Sequence, residues 1–213
     1  MNNKLIVVVD YGMGNLRSVT KAAEHVAPSG CHIKISQNAS DITNADAIIF
    51  PGQGAAKACM QAIKEHNLND ALLQAAQSKP FLGICMGLQV LMSHSNENNG
   101  VDCLNRIEGT VEKFQSSPEA KIPHMGWNQI HQHHDHPMWH KIPQDSRFYF
   151  VHSYYVSPTN PQMIQGTTEY ANLTFASCLA EGQLFAIQAH PEKSAQAGLQ
   201  LFKNFMTWPI ESA

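Results

Sequence analysis

Charged residues are scarce in this chain of 213 residues, and several other features are missing. Only 15% of the residues are charged and the formal net charge is −3 at pH 7, so the composition offers no basic surface for a nucleic acid. The chain lacks the apolar run of roughly 20 residues that a membrane-spanning helix needs. Its first residues lead directly into an apolar segment, without the layout of a signal peptide. We therefore expect a cytoplasmic protein with no nucleic-acid partner and no membrane.

Paired cysteines are also missing. The five cysteines are an odd number, are widely spaced and form no C-x-x-C motif, which argues against a disulfide framework and a zinc site. They favour a reducing compartment, and we expect neither a metal nor a cofactor. The cysteines are Cys31, Cys59, Cys85, Cys103 and Cys178.

Strand and helix patterns alternate in the first half of the chain. A continuous apolar run at Leu5–Val9 is typical of a strand covered on both faces, and apolar residues then recur at helical spacing from Asn15. The pattern predicts further strands at 32–35, 47–50 and 80–84, and a helix over 56–78 that breaks near Asn67. This order predicts parallel strands with helices on both faces.

After about residue 105 the pattern changes to strands with few helices between them. Strands are predicted at 107–114, 147–156, 163–170 and 173–190, the last divided by a turn at Glu181-Gly182, and a closing helix at 194–206. With 43% hydrophobic residues, the chain can bury one sizeable core. We therefore predict a single α/β domain over residues 1–213, with a mostly parallel central sheet flanked by helices and a more antiparallel C-terminal part.

One cysteine stands where a nucleophile would be displayed. Cys85 lies between Gly83 and Gly87, after an apolar strand and before a helix-like run at 88–92. Strand, sharp turn and helix form the layout of a nucleophile elbow, in which glycines permit close packing of strand against helix. We expect the thiol to be exposed at the end of the sheet, near a helix N-terminus that stabilises a thiolate. On this segment alone, a buried structural cysteine is as good an interpretation.

A base for this thiol is available in Gln188–Glu192. The segment follows an apolar strand, and residues i and i+2 of an extended segment lie on the same side, so His190 and Glu192 can lie together. The carboxylate would fix the imidazole tautomer while the imidazole deprotonates Cys85. The alternative is a histidine in a turn and a glutamate that caps a helix. Both motifs, each at the end of a strand, favour a Cys-His-Glu triad.

These segments identify a family. The chain resembles the class I (triad-type) glutamine amidotransferases and, within them, the glutaminase subunit of imidazole glycerol phosphate synthase. The opening segment and the segment at 123–128 are the more specific to that subunit. The matching segments are Asp10–Ser18, Pro51–Gly54, Gly83–Gln89, Pro123–Asn128, Tyr149–Tyr154 and His190–Ser194.

The resemblance implies a role for each matching position. Cys85, His190 and Glu192 would release ammonia from L-glutamine and deliver it to a synthase (cyclase) subunit, as a heterodimer in histidine biosynthesis. Residues implied in binding the substrate are Gly52, Gln53, Met86, Gln89, His152, Ser153 and Tyr154. Residues implied at the partner interface are Gly12, Asn15, His124, Met125, Trp127, Asn128 and Lys193, with 123–128 forming a loop that faces the partner.

Some features depart from the family or leave alternatives open. Ala189 stands where the family usually has an aromatic residue, and Cys103–Ile107 replaces a more glycine-rich segment. The histidines between His131 and His140 lack the spacing of a zinc motif and predict a solvated loop. Three other functions stay open: a subunit for another synthase, such as one of surface-sugar amination; a catalytically inactive regulatory subunit; and a cysteine peptidase or γ-glutamyl hydrolase.

Overall fold

The computed structural model describes residues 4–116 and 120–209. The strands are β1 (Lys4–Val9), β2 (Cys31–Ser36), β3 (Ala47–Gly52), β4 (Phe81–Cys85), β5 (Met92–Ser95), β6 (Val101–Asp102), β7 (Ile107–Lys113), β8 (His124–Gln129), β9 (His131–Gln132), β10 (Arg147–His152), β11 (Tyr154–Pro158), β12 (Ile164–Tyr170), β13 (Leu173–Glu181) and β14 (Leu184–Ile187). The helices are α1 (Leu16–Val26), α2 (Ala39–Asn44), α3 (Ala56–Glu65), α4 (Asn69–Ser78), α5 (Met86–Gln89) and α6 (Ala195–Thr207). Short 3-10 turns lie at Glu97–Asn99, Pro137–Trp139, Pro161–Met163 and Pro191–Lys193.

A large mixed sheet organises the fold. Its strand order is β2-β1-β3-β4-β14-β13-β11-β7-β5-β6, and β12 and β9 continue from β13 on a side branch. The first five strands in this order pair in parallel, whereas β13 pairs antiparallel with β14, β11 and β12. A separate two-stranded antiparallel sheet joins β8 to β10. The predicted parallel core with a more antiparallel C-terminal part is confirmed.

Helices cover both faces of the parallel strands. Val7 and Val9 belong to the core that contains the buried residues of α3 and α4, while Ile6 and Val8 belong to the core of α1 and α6. Alternate strand residues are thus buried on opposite faces, which explains the continuous apolar run. Within the described ranges the longest helix, α6, has 13 residues, and no helix there could span a bilayer.

Several predicted elements are confirmed. Helix α1 begins directly after Asn15, whose side chain accepts a hydrogen bond from the Ser18 amide and caps the helix. The helix predicted over 56–78 does break, because Asn67 adopts a positive φ of 54° between α3 and α4. The turn at Gly182 does divide the last run into an antiparallel hairpin of β13 and β14.

Other predicted elements are wrong. The helix expected at 88–92 is the four-residue α5, and Met92 already begins β5. The run 147–156 divides at Ser153 into two strands that belong to different sheets. The loop expected at 123–128 is largely strand β8, because it pairs along its whole length with β10. The short helix α2 lacks a long apolar repeat and was not predicted.

Candidate active site

The elbow at Cys85 is closely packed. Cys85 is the last residue of β4, has a φ of 56°, and is followed directly by α5. A side chain at position 87 would overlap the carbonyl oxygen of Phe50, and one at position 83 would lie 3.1 Å from the Gly87 oxygen. Glycine at these positions therefore lets β3, β4 and α5 approach each other. We expected an exposed thiol, but Cys85 is only 6% exposed. It does line a cavity.

Neighbouring strands bring His190 to Cys85. Strand β14 pairs in parallel with β4, with Ile187 opposite Ile84, so both chain segments leave the sheet at the same edge. The backbone amide of His190 donates a hydrogen bond to the carbonyl oxygen of Tyr149 at 2.8 Å. Its carbonyl accepts from the Ser194 hydroxyl at 2.6 Å. These bonds hold the backbone of His190 in place beside the elbow.

Glu192 fixes the His190 ring. After Pro191 the chain turns back, and Glu192 Oε1 lies 2.8 Å from His190 Nδ1, with both side chains almost completely buried. Because a carboxylate accepts only, Nδ1 carries the proton in the neutral ring. Nε2 is buried, bonds no nitrogen or oxygen among the described residues, and interacts with the Cys85 sulfur. The ring therefore presents a free nitrogen that can accept a proton.

The charges around His190 favour its protonated form. Burial alone would lower the pKa of His190, but the negative charge of a Cys85 thiolate and the bonded carboxylate of Glu192 outweigh it and raise this pKa to about 10. A thiolate and an imidazolium thus stabilise each other in this site. The thiolate, not the thiol, is the nucleophilic form of cysteine.

A pair of glutamines lies behind the thiol. The Gln188 side-chain nitrogen lies 3.7 Å from the Cys85 sulfur, and its oxygen accepts from Gln89 Nε2 at 2.9 Å. Gln89 Nε2 also donates to the Tyr154 carbonyl at 3.1 Å. The sequence analysis did not predict a role for Gln188. The signal was its position two residues before His190, because residues i and i+2 of an extended segment lie on the same side.

A cavity of about 720 Å³ opens beside Cys85 and His190. It brings together all but one of the substrate-binding residues expected from the sequence. Gly52 does not line it, but packs directly beneath, since a side chain there would lie 2.9 Å from the Met86 Cβ and overlap the Tyr11 hydroxyl. The lining residues are Gly12, Met13, Gly14, Gln53, Gly54, Cys85, Met86, Gln89, Glu97, Pro123, Val151, His152, Ser153, Tyr154, His190 and Lys193.

An apolar surface adjoins this cavity. Met125 and Trp127 lie on the same side of β8 and are 62% and 45% exposed. The Trp127 ring meets the edge of Tyr149, its cross-strand partner. The ammonium group of Lys193 lies 5.8 Å from the centre of the Tyr149 ring. Lys193 and the exposed Gly12 line the cavity, and we call Met125, Trp127 and Lys193 the rim.

The expectation that His124 faces a partner is wrong for its side chain. His124 is 3% exposed and stacks between Phe150 and Tyr170, because its position in β8 points inward, opposite to Met125 and Trp127. Burial lowers its pKa to about 4. Asn128, which is half-buried, is held against His124 and the Glu169 carbonyl.

The histidine-rich segment is only partly a solvated loop. His131, His133, His134 and His140 are exposed, but His136 packs against Phe185 and Trp208. Burial lowers the pKa of His136 to about 4. No group of three or more metal-ligating side chains occurs in the parts of the chain that the structure describes.

The model of the family "glutamine amidotransferase class-I" matches residues 7–208. The chain belongs to the class I glutamine amidotransferases. Among curated relatives of this family, it is 66% identical over 209 residues to imidazole glycerol phosphate synthase subunit HisH of Hydrogenovibrio crunogenus, covering 97% of this chain and 98% of that one. It is 50% identical over 204 residues to the same subunit of Nitrosococcus oceani, covering 95% and 97%.

Solved structures of other proteins share the fold. PurLQS from Thermotoga maritima aligns with a TM-score of 0.70 at 16% identity, covering 97% of this chain and 99% of that one. A glutamine amidotransferase from Thermotoga maritima aligns with a TM-score of 0.58 at 14% identity, covering 92% and 80%. At these identities the comparison supports the class I amidotransferase fold alone.

Proposed function

We propose that this class I amidotransferase is the glutaminase subunit of an imidazole glycerol phosphate synthase. It would hydrolyse L-glutamine and deliver the ammonia to a synthase (cyclase) subunit that makes imidazole glycerol phosphate and aminoimidazole carboxamide ribotide. The observation that carries the proposal is Cys85 on a strained elbow beside a His190 ring that Glu192 holds. Identities of 50–66% to HisH subunits support the choice of pathway.

The chemistry follows from the three side chains. Cys85 attacks the side-chain amide carbon of glutamine, and His190 Nε2 takes the thiol proton and gives it to the departing ammonia. Water activated by the same nitrogen then hydrolyses the glutamyl thioester and restores the thiol. Glu192 keeps the proton on Nδ1 throughout, so that Nε2 stays available.

Both steps pass through an oxyanion that backbone amides stabilise. The Met86 amide begins α5 directly after the nucleophile and is the first donor. The second belongs to the Pro51–Gly54 segment. Its closeness to the elbow supports this role, since a side chain at Gly52 would lie 3.1 Å from the Gly87 nitrogen.

The cavity provides polar groups for the amino-acid end of glutamine. Gln89 Oε1 is buried and accepts no hydrogen bond from the described residues, although Gln89 Nε2 is fully used. Gln89 lines the cavity, and we assign it to the amino-acid end of the substrate. Gln53 and the backbone at His152–Tyr154, which also line the cavity, would hold the carboxylate end.

The rim of Met125, Trp127 and Lys193 is the proposed contact with the synthase subunit. Large apolar side chains at this exposure are typical of interface anchors, and Tyr149 and Lys193 connect Trp127 to the cavity in which ammonia is released. A partner seated there would cover the cavity and keep ammonia out of water, where it would be protonated. We infer a cytoplasmic heterodimer in which residues 1–213 act as one amidotransferase domain.

The test is glutamate release from glutamine by the chain alone and by the chain mixed with a ribotide-bound synthase subunit of the histidine pathway. We expect slow release alone, strong stimulation by the liganded partner, and no release by a Cys85→Ala variant in either case. Equal release with and without the partner would point to another synthase or to an independent hydrolase. A complete absence of release in both conditions would favour a regulatory subunit.

A further inference from the structure

The side chain of Gln188 touches the sulfur of Cys85 from the side opposite to solvent. Gln188 is fully buried and does not line the cavity. Its backbone amide donates to the Ser177 carbonyl at 2.8 Å, which ties it to β13. A polar side chain buried this deeply needs partners, and the structure gives it two: Cys85 and Gln89.

The orientation of the Gln188 amide is determined by its neighbours. Gln89 Nε2 donates to Gln188 Oε1, so the oxygen of Gln188 faces Gln89 and its nitrogen faces the sulfur. Gln89 cannot turn around, because its nitrogen also donates to the Tyr154 carbonyl. The same carbonyl accepts from His152 Nδ1 at 2.7 Å. The sulfur therefore meets an N–H group rather than a carbonyl oxygen.

We propose that Gln188 is a positioning residue for the nucleophile: its N–H group, oriented by Gln89, holds the Cys85 sulfur and stabilises it as a thiolate. This rests on the proposed function, in which Cys85 is the nucleophile. A thiolate accepts hydrogen bonds better than a thiol, and His190 can stabilise it from one side only. The amide supplies a second, uncharged donor that does not compete for the proton.

Two variants separate this donor from the packing around it. Gln188→Glu keeps the shape and still offers Gln89 an acceptor, but it removes the N–H group that faces the sulfur. Gln188→Leu removes both bonds at similar volume. Gln165→Leu is the matched control: Gln165 is also nearly buried in the same sheet, on β12, which does not line the cavity.

The first readout is the pH at which Cys85 becomes reactive. Alkylation by iodoacetamide is followed by mass spectrometry of the Cys85 peptide, in the complete chain without glutamine. We expect a higher pH midpoint for Gln188→Glu and Gln188→Leu, and the wild-type midpoint for Gln165→Leu. Wild-type midpoints in both position-188 variants would overturn the inference. Thermal unfolding of each variant shows whether the fold is kept. Because the carboxylate of Gln188→Glu also disfavours a thiolate by its charge, the uncharged Gln188→Met replaces Gln188→Leu if that variant does not fold.

The second readout separates positioning from substrate binding. Because Gln188 does not line the cavity and Gln188→Glu keeps the acceptor for Gln89, we expect kcat of this variant to fall by about 10- to 100-fold, the effect of a hydrogen bond to a charged group, with little change in KM for glutamine. A changed KM at constant kcat would contradict the inference. Glutamate release by the wild type tests the proposed function separately, and the alkylation midpoints are measured whether or not it is active.

Discussion

Replacing Glu192 by glutamine tests whether its charge, rather than its shape, sets up His190. The substitution keeps the size of a side chain that is almost completely buried and bonded to His190 Nδ1 at 2.8 Å. An amide can still offer its oxygen to Nδ1, but without the charge. If it turns its nitrogen to the ring instead, the proton moves to Nε2, and the ring can no longer accept the thiol proton.

The size of the effect follows from the pKa of His190. The difference between 6.5 and about 10 corresponds to about 5 kcal/mol in favour of the charged ring. Cys85 contributes more to this raised pKa than Glu192 does, and a hydrogen bond to a charged group is generally worth about 2 kcal/mol. Losing that contribution would lower kcat at least about 30-fold. KM for glutamine should change little, because Glu192 does not line the cavity.

The assay is glutamate release with the liganded synthase subunit, together with NMR titration of the His190 ring. We expect a lower kcat, a constant KM and a lower pKa of His190 in Glu192→Gln. The control is Glu181→Gln, which removes a half-exposed ion pair with Arg106 and should leave all three quantities unchanged. A kcat within about threefold of the wild type, with an unchanged pKa of His190, would refute the reasoning.

Three further results are expected. Gly87→Ala should lower the free energy of unfolding, measured by urea denaturation, by at least about 2 kcal/mol, because the added methyl group overlaps a backbone oxygen. The control is Gly182→Asn, at a turn with open space, which should lower the free energy of unfolding by less than about 1 kcal/mol. Trp127→Ala should weaken binding of the synthase subunit by about 2 kcal/mol in calorimetry without a change in Tm; an unchanged Kd would place the interface elsewhere. Burial lowers the pKa of three histidines, His124 and His136 to about 4 and His152 to about 3. Since the unfolded chain binds their protons first, stability should fall by about 3–5 kcal/mol between pH 6.5 and 5; equal urea midpoints at both pH values would contradict this.

The sequence was most informative where chemistry and backbone constraints coincide. Gly83 and Gly87 around a cysteine predicted an elbow because few residues tolerate that turn, and the His-Pro-Glu spacing predicted the His190–Glu192 contact. Continuous apolar strands predicted a sheet covered on both faces. Each of these patterns depends on neighbouring residues, which a sequence shows directly.

Contacts between distant segments could not be predicted in the same way. Strand β8 has a mixed pattern, and only its pairing with β10 shows that Met125 and Trp127 face outward while His124 faces inward. Gln188 contacts a sulfur 103 positions away, which depends on the pairing of β14 with β4. The thiol is buried because β4 lies between β3 and β14 and Gln188 packs against the sulfur. A local sequence pattern does not show such packing.

The strained backbone at Cys85 affects which residues this position can hold at the lowest cost in stability. A φ of 56° with ψ of −109° is a conformation that costs a residue with a side chain about 1–3 kcal/mol and glycine much less. A lineage released from the need for ammonia would therefore gain stability by losing this cysteine to glycine.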